Sequence, residues 1–275
     1  SLTDEADAPA VADSLTMGMS VQWYADERTE ASSFPDCPWA VQFSETNCIP
    51  LTRGDWNWET GLTRDQVMEA EIIRDYGMRA AYGNWAYLKN RYSKKEQFAN
   101  RQLTWMAYIG GKRESRRLMG DIILTEQDIL EQVSYPDASF TTTWEIDLHY
   151  PKTIEGLEEE SFLATNKAPQ IRPYAVPYRC LYSRNIGNLF MAGRDISVTH
   201  IALGSVRVMR TCGMMGEVVG MAASICKQHD ALPRDIYLHH FGELQALMHQ
   251  GVGKPDLPDN QRYNENYILP EPPVK

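Results

Sequence analysis

The longest hydrophobic pattern of helical period begins at Thr63, where Gln66 follows at capping-box spacing, and continues through Ile73, Tyr76, Gly77, Ala80, Asn84 and Tyr87 to about Asn90. It predicts one long helix. Gly77, Ala80 and Gly83 lower its intrinsic propensity, so their presence predicts a close approach to neighbouring backbone. The second strong pattern has period two. Phe140, Thr142, Trp144, Ile146, Leu148 and Tyr150 alternate with Thr141, Thr143, Glu145, Asp147 and His149, which predicts a strand with one face on a core and the other on solvent or a cleft. Shorter patterns predict strands over Val21–Ala25, Ala40–Ser44 and Asp121–Leu124, with a helix capped by Thr125 and Asp128 after the last of these. The acidic run 155–160 reads as a solvated loop. The proline-rich segment 169–177 leads into predicted strands Tyr178–Ser183 and Asn188–Ala192, and a helix over Asp235–Gln250 is stopped by Gly251. The tail after Pro255 has little pattern.

The segment Asn188 to Ala223 is the most informative. It reads as a buried strand ending at Gly193, a polar loop, and a helix starting near Gly204 and Ser205. Along that helix Gly213, Gly216, Gly220 and Ala223 share one face, a surface against which another backbone can pack. A helix start facing the carboxyl end of a strand offers unpaired N–H groups to a partly negative ligand. Spacing alone leaves an ordinary packed strand-loop-helix unit as the lesser alternative.

Composition narrows the classes. A net charge of −10 lacks the clustered cations that phosphate backbones require, so nucleic acid is not an expected partner. No apolar run is long enough to span a membrane. Cys37, Cys48, Cys180, Cys212 and Cys226 have no metal-ligand spacing and read as mostly free and buried, although a Cys37–Cys48 pair is compatible with export. The six histidines are scattered, and His239 and His240 diverge on a helix, so no metal site is expected. Cytoplasmic and exported locations both stay open.

Read as ordered blocks, the sequence resembles the carboxy-terminal part of a bacterial family of two-domain FAD-dependent oxidoreductases. The blocks are Ala192-Gly-Arg with Ser197, His200 and Ala202, then Gly204-Ser-Val-Arg-Val-Met and Thr211-Cys before a glycine-spaced helix. Upstream lie Arg113-Glu-Ser-Arg-Arg-Leu-Met-Gly-Asp, Leu124-Thr-Glu-Gln-Asp-Ile, Ile146-Asp-Leu-His and Tyr174-Ala-Val-Pro-Tyr-Arg-Cys-Leu. The resemblance implies an α/β (α+β) chain: a substrate domain plus the carboxy-terminal strand and helix of a glutathione-reductase-like FAD-binding fold, without the amino-terminal Rossmann part. It places a substrate or cap domain at 1–165, part of the FAD-binding domain at 166–230, and a helix and tail at 231–275. No GxGxxG occurs, so the ADP half of FAD has no evident cradle here, and upstream sequence is expected to be missing.

By the same resemblance, Gly193 and Arg194 lie beside the ribityl and pyrophosphate groups. Gly204, Ser205, Val206 and Arg207 lie beneath the pyrimidine edge of the flavin, and Ser197 joins the cofactor-binding set. The pair Ala192 and His200 matches the end of fumarate-reductase-type flavoproteins. His200 is expected to donate a proton or hold substrate, and Arg207 to neutralise a substrate anion or the reduced flavin; a structural ion pair is the equal alternative for Arg207. The charged block Arg113, Glu114, Arg116 and Arg117 reads as structural or solvated. His149, Glu145 and Asp147 read as a polar strand face, and Trp56 with Trp58 as core or lid aromatics that can alternatively form a sugar platform. The expected function is hydride transfer between flavin N5 and a small polar, hydroxylated or carbohydrate-like substrate. The rival is a cofactor-free module that binds a glycan or a partner.

Overall fold

The computed structural model describes residues 5–157 and 160–251. The predicted tail after Pro255 lies outside the described residues. The chain divides into two compact units that are interleaved in sequence. One is Trp-rich and comprises Asp13–Ser115 with His149–Lys167; the other is helical and comprises residues up to Ala12, Arg116–Leu148 and the chain from Ala168 onward. Among the described residues the named strands form small antiparallel sheets around which helices pack, a mixed α/β arrangement.

In the Trp-rich unit, Trp23–Glu27 is the central strand between Arg53–Gly54 and Arg101–Met106, and Met19–Ser20 lies between Glu59–Thr60 and Gly111–Lys112. Helix α1, Ala70–Asn90, packs Ala80, Ala81, Trp85 and Leu88 into a core with Trp23, Trp58 and Phe162. Its glycines behave as the sequence predicts. A Cβ on Gly77 would stand 2.4 Å from Val21 Cγ2, and one on Gly83 would stand 1.8 Å from the Val41 carbonyl oxygen. The helix starts later than the Thr63 capping pattern predicts. Gln66 is buried and its Nε2 donates to the Gly61 carbonyl at 2.5 Å, while Asp65 Oδ1 accepts from the amides of Val67 and Met68, so a turn occupies the expected first helical residues. Residues Ala40–Ser44 do not form the predicted strand; Val41 lies against α1, its amide donating to the Arg79 carbonyl at 3.3 Å. The aromatic platform is also undone, because Trp58 is buried in the core at 5.4 Å from Trp23 and Trp56 is exposed.

In the helical unit, α2 at Glu126–Leu130 carries the full capping box of Thr125 and Asp128. Strand Ala138–Thr142 pairs antiparallel with Tyr174–Pro177. The long alternation predicted to Tyr150 therefore breaks. Its last part forms Leu148–Pro151 and pairs with Ala164–Lys167 in a different sheet. Between the strands, the Ile146 amide donates to Pro169 and the Asp147 amide to Glu145, which removes both from a ladder. Residues Tyr178–Cys180 form a 3-10 turn, and Tyr182 and Phe190 share only an isolated bridge, so the two strands expected there are not extended ladders. Two helices follow, α3 at His200–Val206 and α4 at Met209–His229. A continuous helical segment, α5, is α-helical at Pro233–Asp235, π-helical at Ile236–His240 and α-helical again at Phe241–Gln250, before Gly251 with φ 66°.

Candidate functional site

The segment expected to be one helix from Gly204 is two. Thr199 caps α3, its Oγ1 accepting from the Ala202 amide at 3.2 Å and donating to Glu5 Oε1 at 2.5 Å. His200 therefore occupies the first position of a helix rather than a loop. Gly204, Ser205 and Val206 are buried. A Cβ on Gly204 would stand 3.0 Å from the Asp147 amide nitrogen, and Ser205 Oγ donates to the Trp144 carbonyl at 2.8 Å while its own carbonyl accepts from Thr142 at 2.6 Å. This block is enclosed by the protein. Ser197 is also fully buried, and its hydroxyl has no hydrogen-bond partner among the described residues.

Arg207 ends α3 and is held by Asp147. Its Nη2 donates to Asp147 Oδ2 at 2.7 Å and to the Asp147 carbonyl at 2.9 Å, with both side chains nearly buried. Arg207 follows His200 by seven positions, which puts them on one side of α3 and roughly 10 Å apart along its axis. Asp147, which the alternation placed on an open strand face, is the partner that fixes Arg207.

The chain restarts as a helix after Val208, and α4 begins without a side-chain cap. Its first amides have no intrahelical acceptor by geometry, and Met209 at this end is 91% exposed. The loop preceding α3 reaches the same end of α4. Gly193 has φ 120°, a conformation that suits glycine, and its amide donates to Met215 Sδ at 3.2 Å. Arg194 in this loop is exposed, and burial raises the pKa of Asp195 beside it. Burial likewise raises the Cys212 thiol, so a reactive thiolate at the first turn is not favoured.

Helix α4 buries Thr211, Met215, Val218, Ala222 and Ile225 on one face. The opposite face is open. A Cβ at Gly213, Gly216 or Gly220 would meet nothing within 4 Å among the described residues, so the close packing predicted for this stripe is not made there. Gly216→Leu is expected to leave the melting temperature of this chain unchanged or slightly higher, with a gain of up to about 1 kcal/mol from helix propensity. A melting curve with a clear drop would show that the stripe is packed after all.

The Trp-rich unit holds a second polar cluster. Glu59 is fully buried and accepts from the Gly18 amide at 2.6 Å; its other oxygen lies 2.5 Å from His149 Nδ1 and 3.3 Å from Arg113 Nη1. Arg113 also donates to Ser20 Oγ and the Trp56 carbonyl, and Glu114 accepts from the Met17 amide. Arg113 and Glu114 are thus interior, in keeping with the structural alternative for the charged block, and His149 is not on an open face. Glu59 gave no sequence signal, because one glutamate in a short strand is ordinary until the fold brings His149 to it.

A family model described as FAD dependent oxidoreductase matches residues 11–248. The chain belongs to this family. No curated protein and no solved structure gives a significant match. Membership in the FAD dependent oxidoreductase family implies FAD as cofactor and oxidoreduction as the type of chemistry. The residues present fit an FAD group at the start of α4. The uncapped amides supply donors for a partly negative edge, and the open glycine stripe leaves room along the helix where a side chain would otherwise stand. The sequence assigned the helix start to Gly204; the missed signal was Thr199, a capping residue directly before the apolar run of α3.

Proposed function

We propose that this chain forms the flavin-facing and substrate-facing part of an FAD-dependent oxidoreductase acting on a small polar, hydroxylated substrate. The observation that carries the reading is the open, uncapped start of α4 beside the Gly193 loop in a chain of this family. FAD, when bound, supplies the hydride acceptor or donor at its N5. The amides of Met209 and Arg210 would hold the partly negative pyrimidine edge, and the glycine stripe would accommodate close contact. Gly193 and Arg194 take the ribityl and pyrophosphate side, with the Arg194 cation facing phosphate charge. His200, at the start of α3, holds or moves a proton on the substrate side, and Arg207 is a positioning residue clamped by Asp147.

In this reading the substrate domain lies in residues 1–165 apart from the stretch up to Ala12 and residues 116–148, which belong to the helical unit. Residues 166–230 supply the carboxy-terminal part of a glutathione-reductase-like FAD-binding domain. The ADP half of the cofactor needs a glycine turn at a helix start, and the sequence contains no GxGxxG. That cradle is supplied from outside these residues.

FAD titration, followed by quenching of flavin fluorescence, tests the division. The chain alone is expected to bind FAD at least about 100-fold more weakly than a longer protein carrying the glycine turn, the loss of about two charge-assisted hydrogen bonds. Equal, tight affinity for both would refute the divided site. A longer protein that stays colourless and still retains a glycan would favour the binding-module alternative.

A further inference from the structure

The fold gathers three ligand-type side chains that the sequence scatters. His229 is the last residue of α4, His240 ends the π-helical stretch of α5, and Glu243 lies in the α-helical turn after it. His229 Nε2 stands 2.9 Å from Glu243 Oε2, and His240 Nδ1 stands 2.9 Å from Glu243 Oε1. The two imidazoles stack with centroids 4.1 Å apart and planes 22° from parallel. Asp230, at φ 50°, terminates α4 directly after His229 and so fixes where that imidazole is presented. The π-helical turn resets the phase of α5, a feature that recurs at functional positions in helices. His239 diverges from the cluster, its ring 83° from that of His240.

We propose that His229, His240 and Glu243 form a binding site for a zinc-like divalent transition-metal ion. One ligand atom from each residue lies within 4.8 Å of the others. Tetrahedral zinc with bonds of about 2.0–2.2 Å places its ligand atoms roughly 3.3 Å apart, so the side chains need only small rotations to close on an ion. Two imidazoles and one carboxylate are a donor set matched to this class of metal rather than to calcium or magnesium, which take oxygen ligands. The side chains are 32%, 21% and 44% exposed, which lets a hydrated ion enter and leaves a coordination position for water or a further ligand. The ion would join the end of α4 to α5.

The experiment is competition of Zn2+ between the metal-stripped full chain and a chromophoric chelator, with Co2+ spectra recorded in parallel. One zinc per chain is expected. Glu243→Gln, which keeps side-chain shape, and His229→Ala should each weaken binding by at least about 100-fold, while His239→Ala leaves it unchanged. All three variants should retain the wild-type far-ultraviolet circular dichroism, since the cluster is at the surface. Absence of zinc binding in the wild type, or undiminished binding in both ligand variants, overturns the site. A thiolate charge-transfer band in the cobalt spectrum overturns it equally by assigning the metal to cysteine.

Discussion

Gly83→Ala is expected to destabilise the protein by about 3 kcal/mol or more, although alanine is the better helix former by about 1 kcal/mol. The added Cβ would stand 1.8 Å from the Val41 carbonyl oxygen and 2.9 Å from its carbon. Those are backbone atoms, so no rotamer change relieves the clash. Helix α1 and the segment crossing it must separate. Separation stretches the bond from the Val41 amide to Arg79 and the two bonds between buried Asn84 and the Ile49 backbone, at 2.8 and 2.9 Å. Leaving Asn84 unsatisfied adds to the overpacking. Urea denaturation measures the loss, and Gly216→Ala on the open stripe is the matched control, with an expected gain of up to about 1 kcal/mol. A loss below about 1 kcal/mol at Gly83 would mean that the crossing is looser than described.

Glu59→Ala is expected to cost about 3–5 kcal/mol, the usual effect of removing one partner from a buried charged cluster. Glu59 is 0% exposed, and its carboxylate faces a main-chain amide, His149 and Arg113. Without it, the Arg113 guanidinium loses its buried counter-charge and the Gly18 amide loses its acceptor. The His149 ring also loses its orienting partner. Glu59→Gln keeps the volume and removes the charge, so it should fall between wild type and alanine. Denaturation curves of the two variants separate charge from packing. If alanine costs less than about 1 kcal/mol, the cluster is hydrated and does not hold the unit together.

Both predictions rest on contacts between residues distant in sequence, and this is where the sequence reading stopped. The capping box of Thr125 and Asp128, the body of α1 to Asn90, and the end of α5 at Gly251 were readable because each is decided within a few residues. The glycines of α1 were read correctly as close approaches for a related reason: a costly residue in a good helix needs a neighbour to justify it. The same inference misjudged Gly213, Gly216 and Gly220, since nothing local says whether a small-residue face is already covered. Thr63 and Gln66 carried a genuine capping pattern, but Gln66 bonded to Gly61 and Asp65 captured the next amides. A local preference lost to another local partner made available by the turn.

The ordered motif blocks were sufficient to find the family, which the match over residues 11–248 establishes. They carried the nature of the chemistry without its geometry. Which amides are open was decided by the break between Val206 and Met209, and Asp147 secured that break by gripping Arg207 from sixty positions away. Sequence by itself determined the local periods, the caps and the family, because these depend on near neighbours and residue identity. Tertiary structure alone decided that Glu59 meets His149, that Trp58 turns inward while Trp56 stays exposed, and that His229 and His240 converge on Glu243. Each of these depends on burial and on side chains brought together from separate elements, and the free energy of such contacts has no signature in the spacing of either partner alone.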